Sequence, residues 1–178
     1  LFGPINNPNY AAQIFLNNPS VGNFQMERGA IQFEGNFREI NLNRMVLTDS
    51  ESVIEISGMV NRDDLDLNLK GTRISLDSLG LEFKGAKLQG QFDLTGRLAG
   101  RPARPLMEVR ILSGELLFGP FSGEIHSGVV DWKEQEIKLS RFNLRGKDFQ
   151  VGIDGVIGIN QPPRLDLTVG VNDLNLAK

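Results

Sequence analysis

Glu39-Ile40-Asn41-Leu42-Asn43-Arg44-Met45-Val46-Leu47 is answered, 97 positions later, by Glu136-Ile137-Lys138-Leu139-Ser140-Arg141-Phe142-Asn143-Leu144. Apolar residues take every second place in both stretches, the period of a strand with one buried face. In both, the alternation slips phase across the arginine. Ile40 and Leu42 give way to Met45 and Leu47; Ile137 and Leu139 give way to Phe142 and Leu144. An extra residue flips the facing of everything after it, so the slip reads as a β-bulge or a strand corner. Chance alternation would not slip identically twice.

The agreement runs outward from there. Leu1, Pro8 and Phe24 match Leu98, Pro105 and Phe121 at the same offset of 97. Ile54, Ile56, Gly58 and Val60 match Val151, Ile153, Gly155 and Ile157. Leu65-Asp66-Leu67 matches Leu165-Asp166-Leu167, and Leu76 matches Leu176, at an offset of 100. Further slips fall between Leu69 and Ile74 and between Val171 and Leu174. The chain therefore reads as one elongated β domain over 1–178. Repeats at 1–80 and 98–178 are joined by a hairpin at 81–97, too apolar for a flexible linker. A repeat of this kind marks a stacked, quasi-one-dimensional architecture.

Ile40, Leu42, Ile54, Ile56, Leu65, Leu67, Leu69, Ile74, Leu76, Ile137, Leu139, Val151, Ile153, Leu165, Leu167 and Val169 are expected to line one continuous interior face. Their alternating partners, such as Asn41, Glu55, Asp66, Asn68, Lys138, Asp154 and Asp166, are solvent types. Strands wet on one face and apolar on the other suit an antiparallel sheet. Turns are expected at Glu34-Gly35-Asn36, Arg62-Asp63-Asp64, Lys84-Gly85, Gln89-Gly90, Arg145-Gly146-Lys147-Asp148 and Gln161-Pro162-Pro163. No amphipathic helix is evident. Asn7 to Ile14 could hold a short helical turn, but its counterpart Ala103 to Ile111 alternates as a strand does. Gly100 to Pro105 reads as a solvated surface loop fixed by prolines. Glycine is frequent, at 20 residues, and recurs inside strands, where it permits strong bending. The fold class expected is an all-β, antiparallel-rich sheet curled into a trough.

Composition removes several functions. The net charge of −3 and pI of about 5.3 carry no basic footprint for nucleic acid. There is no cysteine, which excludes thiol catalysis, disulfide scaffolds and zinc fingers. No apolar run reaches the length of about 18 residues that a spanning helix needs. The sequence opens on Leu1 without a basic-then-apolar leader and reads as an internal piece of a longer protein.

Catalytic constellations are not apparent, so no enzyme, metal or cofactor is expected. His126 is the one histidine, on the polar side of a strand, and a triad needs a base between a nucleophile and a carboxylate. Asp63, Asp64 and Asp66 lack the surrounding pattern of a calcium loop and read as a solvated turn. Asp131 with Glu134, and Glu34 with Glu39, sit where hairpin ends ordinarily carry carboxylates. Trp132 falls near Phe33 in the repeat and reads as packing. What remains is the apolar face itself. If the sheet curls without closing, that face is a trough suited to a lipid tail.

Leu94-Thr95-Gly96-Arg97-Leu98-Ala99-Gly100-Arg101-Pro102-Ala103-Arg104-Pro105, followed by Ile111-Leu112-Ser113-Gly114-Glu115-Leu116, resembles a recurring unit of the TamB/AsmA-type envelope proteins. Leu165 to Val169 with Asp173-Leu174-Asn175-Leu176 adds to the resemblance, which extends over the whole chain. The first half departs from it, since Leu1-Phe2-Gly3-Pro4 lacks the Thr-Gly lead-in and the arginines. The resemblance implies a β-taco with an apolar groove, in the periplasm of a diderm bacterium, within an inner-membrane-anchored protein. It implies phospholipid acyl chains as cargo, inner-to-outer membrane transport or outer-membrane assembly as the task, and a TamA-like barrel partner. Neighbouring segments of the same longer chain are further expected partners. Two other readings stand beside this one. One is a docking module that pairs by strand addition at an edge near Leu165 to Leu176, without lipid. The other is a closed ligand-carrying barrel or a polysaccharide-binding solenoid.

Overall fold

The alternating stretches become strands, and nearly all of them join one sheet. The computed structural model describes residues 8–21, 24–77, 82–83, 86–119, 121–158 and 164–172. The strands are β1 (Tyr10–Asn17), β2 (Ser20–Val21), β3 (Phe24–Gln25), β4 (Arg28–Gly35), β5 (Glu39–Thr48), β6 (Val53–Asn61) and β7 (Leu65–Ser75). They continue as β8 (Glu82–Phe83), β9 (Ala86–Arg101), β10 (Arg104–Phe118), β11 (Phe121–Lys133), β12 (Glu136–Arg145), β13 (Gln150–Gly158) and β14 (Arg164–Asn172). Eleven strands run β1-β4-β5-β6-β7-β9-β10-β11-β12-β13-β14, each antiparallel to the next. β8 pairs with the start of β9, and β2 and β3 form a separate small ribbon. The path has two ends, β1 and β14, so the sheet does not close into a barrel. No described residue is α-helical; Asn9 to Ile14 lies in or beside β1.

Short polar turns join the strands, as their residues demand. The Asn36 side chain accepts from the Arg38 and Glu39 amides, and Asn61 accepts from Asp63 and Asp64 at 2.9 and 2.8 Å. These are Asx turns, the local bonding that favours asparagine at a reversal. The expected turn at Gln89-Gly90 is not one: both residues lie inside β9. Gly90 is there because a β-carbon would lie 2.0 Å from the Glu115 carbonyl oxygen of β10, at a φ of +128°. The expected loop at 100–105 shrinks to the two residues between β9 and β10, with Pro105 already paired to Gly100. The expected turns at Lys84-Gly85 and Gln161-Pro162-Pro163 lie outside the described residues, as does the slip before Leu174.

The phase slips are bulges. Register breaks between Leu42 and Met45 in β5 and between Leu139 and Phe142 in β12, at the two matching places. It breaks again between Gly71 and Ile74 in β7. The bulge absorbs the extra residue, so Leu139 and Phe142 stay on one face. β10 breaks at Ile111/Ser113, and β11 between Ile125 and Val129. Register links these places into a row: Gly71 faces Leu94, Leu94 faces Ile111, and Ile111 faces Gly128. A row of bulges concentrates bending along a line, which is how a wide sheet folds over.

Two bulges are pinned in the same way. Arg73 and Arg141 adopt left-handed φ values of 50° and 53°. Each donates its amide N–H to an aspartate on the next strand, Asp93 or Asp154, at 2.8 Å. Removing either carboxylate leaves that amide to solvent. Asp93→Ala and Asp154→Ala are each expected to lower stability by about 1 kcal/mol in urea melts. An unchanged midpoint would show that the bulges hold without their pins.

Candidate functional site

Pairing carries facing from strand to strand, because directly opposed residues share a side. Starting at Ile54, the register connects Gly71, Leu94, Ile111 and Gly128 across the sheet. A second row joins Ile74, Phe92, Gly114, Ile125, Leu144, Val151 and Val171. Further rows join Ile56 to Leu69, Leu42 through Gly58 to Leu67, Ile40 through Val60 to Leu65, Ile153 to Val169, Leu139 through Gly155 to Leu167, and Ile137 through Ile157 to Leu165. Leu76 follows Ile74 two places on. Every residue expected on the apolar face therefore lies on a single face of the sheet.

That face is concave. Ile74, Leu76, Phe92 and Ile125 form a buried cluster, and Ile54, Leu88, Leu94, Ile111, Leu116, Phe142 and Leu144 pack against it. A flat single sheet could not hide Ile125 to 3 % exposure; strands further along the same sheet must cover it. Leu88 of β9 and Val171 of β14 line one cavity of about 480 Å³. Five strand spacings separate them, about 24 Å along the sheet. They meet only because the sheet curls.

The cavity sits at one mouth of the trough. Leu88, Leu116, Phe118, Phe121, Leu144, Phe149 and Val151 supply its apolar wall, and Ser122 is its one polar side chain. Its size falls in the range of small-molecule sites, roughly 300–1,000 Å³. Of the residues expected from the sequence, Val151 alone reaches it. Phe118 and Leu116 alternate in β10 as any inward pair does, and nothing local marks them as the rim of a mouth.

Burial falls away toward the flanks. Leu165, Leu167, Val169 and Val171 face the trough from β14 but are exposed, as is Ile14 in β1. Both faces of β14 are open to solvent. The site is dry in the middle and open at its ends.

The outer face carries charged residues, a few of them paired locally, beside exposed Phe15, Leu106 and Leu117. Arg97 donates to both carboxylate oxygens of Asp66, at 2.7 and 2.8 Å. That bond holds the Asp66 carboxyl below its ordinary pKa, against slight desolvation. Arg44 does the same for Glu55. A carboxyl whose folded pKa is depressed adds stability above its unfolded pKa and loses it as pH falls through the folded value. Asp66→Asn is therefore expected to cost a small amount of stability at pH 7 and none below the folded pKa of Asp66, which flattens the acid limb of the stability curve. Unaltered acid unfolding would mean the pair is not maintained in solution.

Among the described residues, no group of three or more His, Asp or Glu side chains could hold a metal ion. His126 is half exposed, with Nε2 3.7 Å from Glu124. Trp132 lies on the trough side and donates its indole N–H to the Glu134 carbonyl, which ties it to the turn. No described helix is long and apolar enough to cross a membrane. Comparison with known families, characterised proteins and solved structures finds no match.

Proposed function

We propose that this chain is a lipid-shielding segment of a bridge-type envelope protein of the TamB/AsmA kind. Its trough would hold phospholipid acyl chains on their way between inner and outer membranes, across the periplasm, or serve outer-membrane assembly with a TamA-like barrel. The observation that carries this reading is the unbroken apolar concave face across eleven strands. At about 4.8 Å per strand the sheet spans about 50 Å across its eleven strands. Each acyl CH₂ brought into water costs about 0.8 kcal/mol, so a whole tail costs about 10 kcal/mol or more. Moving a tail from bilayer to trough exchanges one apolar medium for another and removes most of that barrier. A conduit needs a uniform wall, and the described residues lining the trough are almost all apolar.

Native mass spectrometry with lipid extraction tests the reading. Phospholipid is expected to bind the purified chain and to be reduced about tenfold or more by Val151→Asp, which puts a charge at the apolar mouth. The variant must retain the β-sheet circular dichroism of the parent. A clean apo mass that takes up no added phospholipid would remove the conduit. It would leave a docking module, which the fully exposed β14 favours.

A further inference from the structure

β7 and β14 occupy equivalent places, and among the described strands only β7 has a neighbour on its outer side. Ile56 faces Leu69 and Gly58 faces Leu67; one repeat on, Ile153 faces Val169 and Gly155 faces Leu167. β7 is then covered by β9, with Leu67 facing Leu98, Leu69 facing Gly96 and Gly71 facing Leu94. On the outer face the same pairing sets Arg97 on Asp66 through two hydrogen bonds. The counterpart of Asp66 is Asp166. It is exposed and makes no ion pair with any described residue. On the inner face Leu165, Val169 and Val171 are more than half exposed, where the β7 counterparts are covered by β9.

We infer that the free edge of β14 accepts an antiparallel strand of the β9 type. The occupant is a strand from a further repeat of this same pattern. It presents leucine and glycine alternately to Leu167 and Val169, and an arginine to Asp166. The main-chain ladder supplies affinity, and the alternate side chains and the charge pair supply register. A second copy of β1 does not fit. Its outward residues are Ala11, Gln13, Phe15 and Asn17, none of which can meet a carboxylate as arginine does. The charge pair can be tested apart from lipid, because Asp166 lies outside the trough.

The test uses the whole chain and a labelled peptide with the β9 sequence from Phe92 to Arg101, followed by fluorescence anisotropy. Saturable binding is expected. A peptide N-methylated at alternate residues should not bind, since it cannot complete the ladder. Asp166→Asn should weaken binding about two- to five-fold, as an exposed pair would. Asp166→Arg should be rescued by a peptide carrying aspartate in place of its Arg97. Asp66→Asn should leave the affinity unchanged. No binding, equal binding of the methylated peptide, or indifference to Asp166→Asn would each overturn the inference. A loss with Asp66→Asn would also overturn it, by showing that the peptide displaces β9. Lipid uptake measured on the same variants should stay constant, so failure here is separable from failure of the conduit.

Discussion

Gly58→Ala is expected to lower stability by about 3 kcal/mol or more. Gly58 has a φ of +138°, where L side chains rarely go. A β-carbon there would sit 2.1 Å from the Asp66 carbonyl oxygen, closer than any real contact. Gly155, its counterpart, has a φ of +150° and the same 2.1 Å approach, to the Asp166 carbonyl. Local geometry is thus nearly the same, but the surroundings differ. β7 is held on its far side by β9, so Asp66 cannot retreat. Among the described strands β14 is held on one side only, so Asp166 can move away. Gly155→Ala is accordingly expected to cost about 1 kcal/mol less than Gly58→Ala in chemical denaturation. Equal losses would mean that β14 is as firmly held as β7, and would argue that its outer edge is covered in solution.

The same glycines show what could be read ahead of the structure. Period-two alternation identified the inward residues, because facing in a strand depends only on parity. The slips at Arg44 and Arg141 marked real bulges for the same reason: an inserted residue is visible as a change of parity. Gly90 reads as a turn in the sequence and lies inside β9 in the fold. A glycine that admits a neighbouring carbonyl and a glycine that turns the chain look alike in one dimension; only the partner Glu115, 25 positions away, tells them apart. Asp93 and Asp154 as clamps on Arg73 and Arg141 were unreadable on the same ground, since each bond joins separate strands. The mouth formed by Phe118, Phe121 and Phe149 also escaped. Alternation says which way a side chain points but not how far the sheet curls, and curling decides which strands meet across the trough.

Ile125→Asp is expected to unfold most of the population, whereas Val169→Asp is expected to shift the urea midpoint hardly at all. Both residues face the trough, and each gains the same carboxylate. Ile125 is 3 % exposed within the cluster of Ile74, Leu76 and Phe92, while Val169 is 57 % exposed on β14. An unpaired charge in a dry interior costs several kcal/mol, a large part of the roughly 5–15 kcal/mol that holds a domain together. On an exposed flank the charge keeps its water, and the cost is within about 1 kcal/mol. Ile125→Ala separates the charge from the lost packing. It should cost about 2–5 kcal/mol by cavity formation alone. The contrast bears on function. A tail entering from the β14 side would meet wet apolar surface first and displace water there at a gain, whereas the centre is already packed against itself. Entry from that flank therefore depends on the middle of the trough opening. Comparable losses at the two positions would mean that the flank is as dry as the centre, and no open entrance would remain on that side.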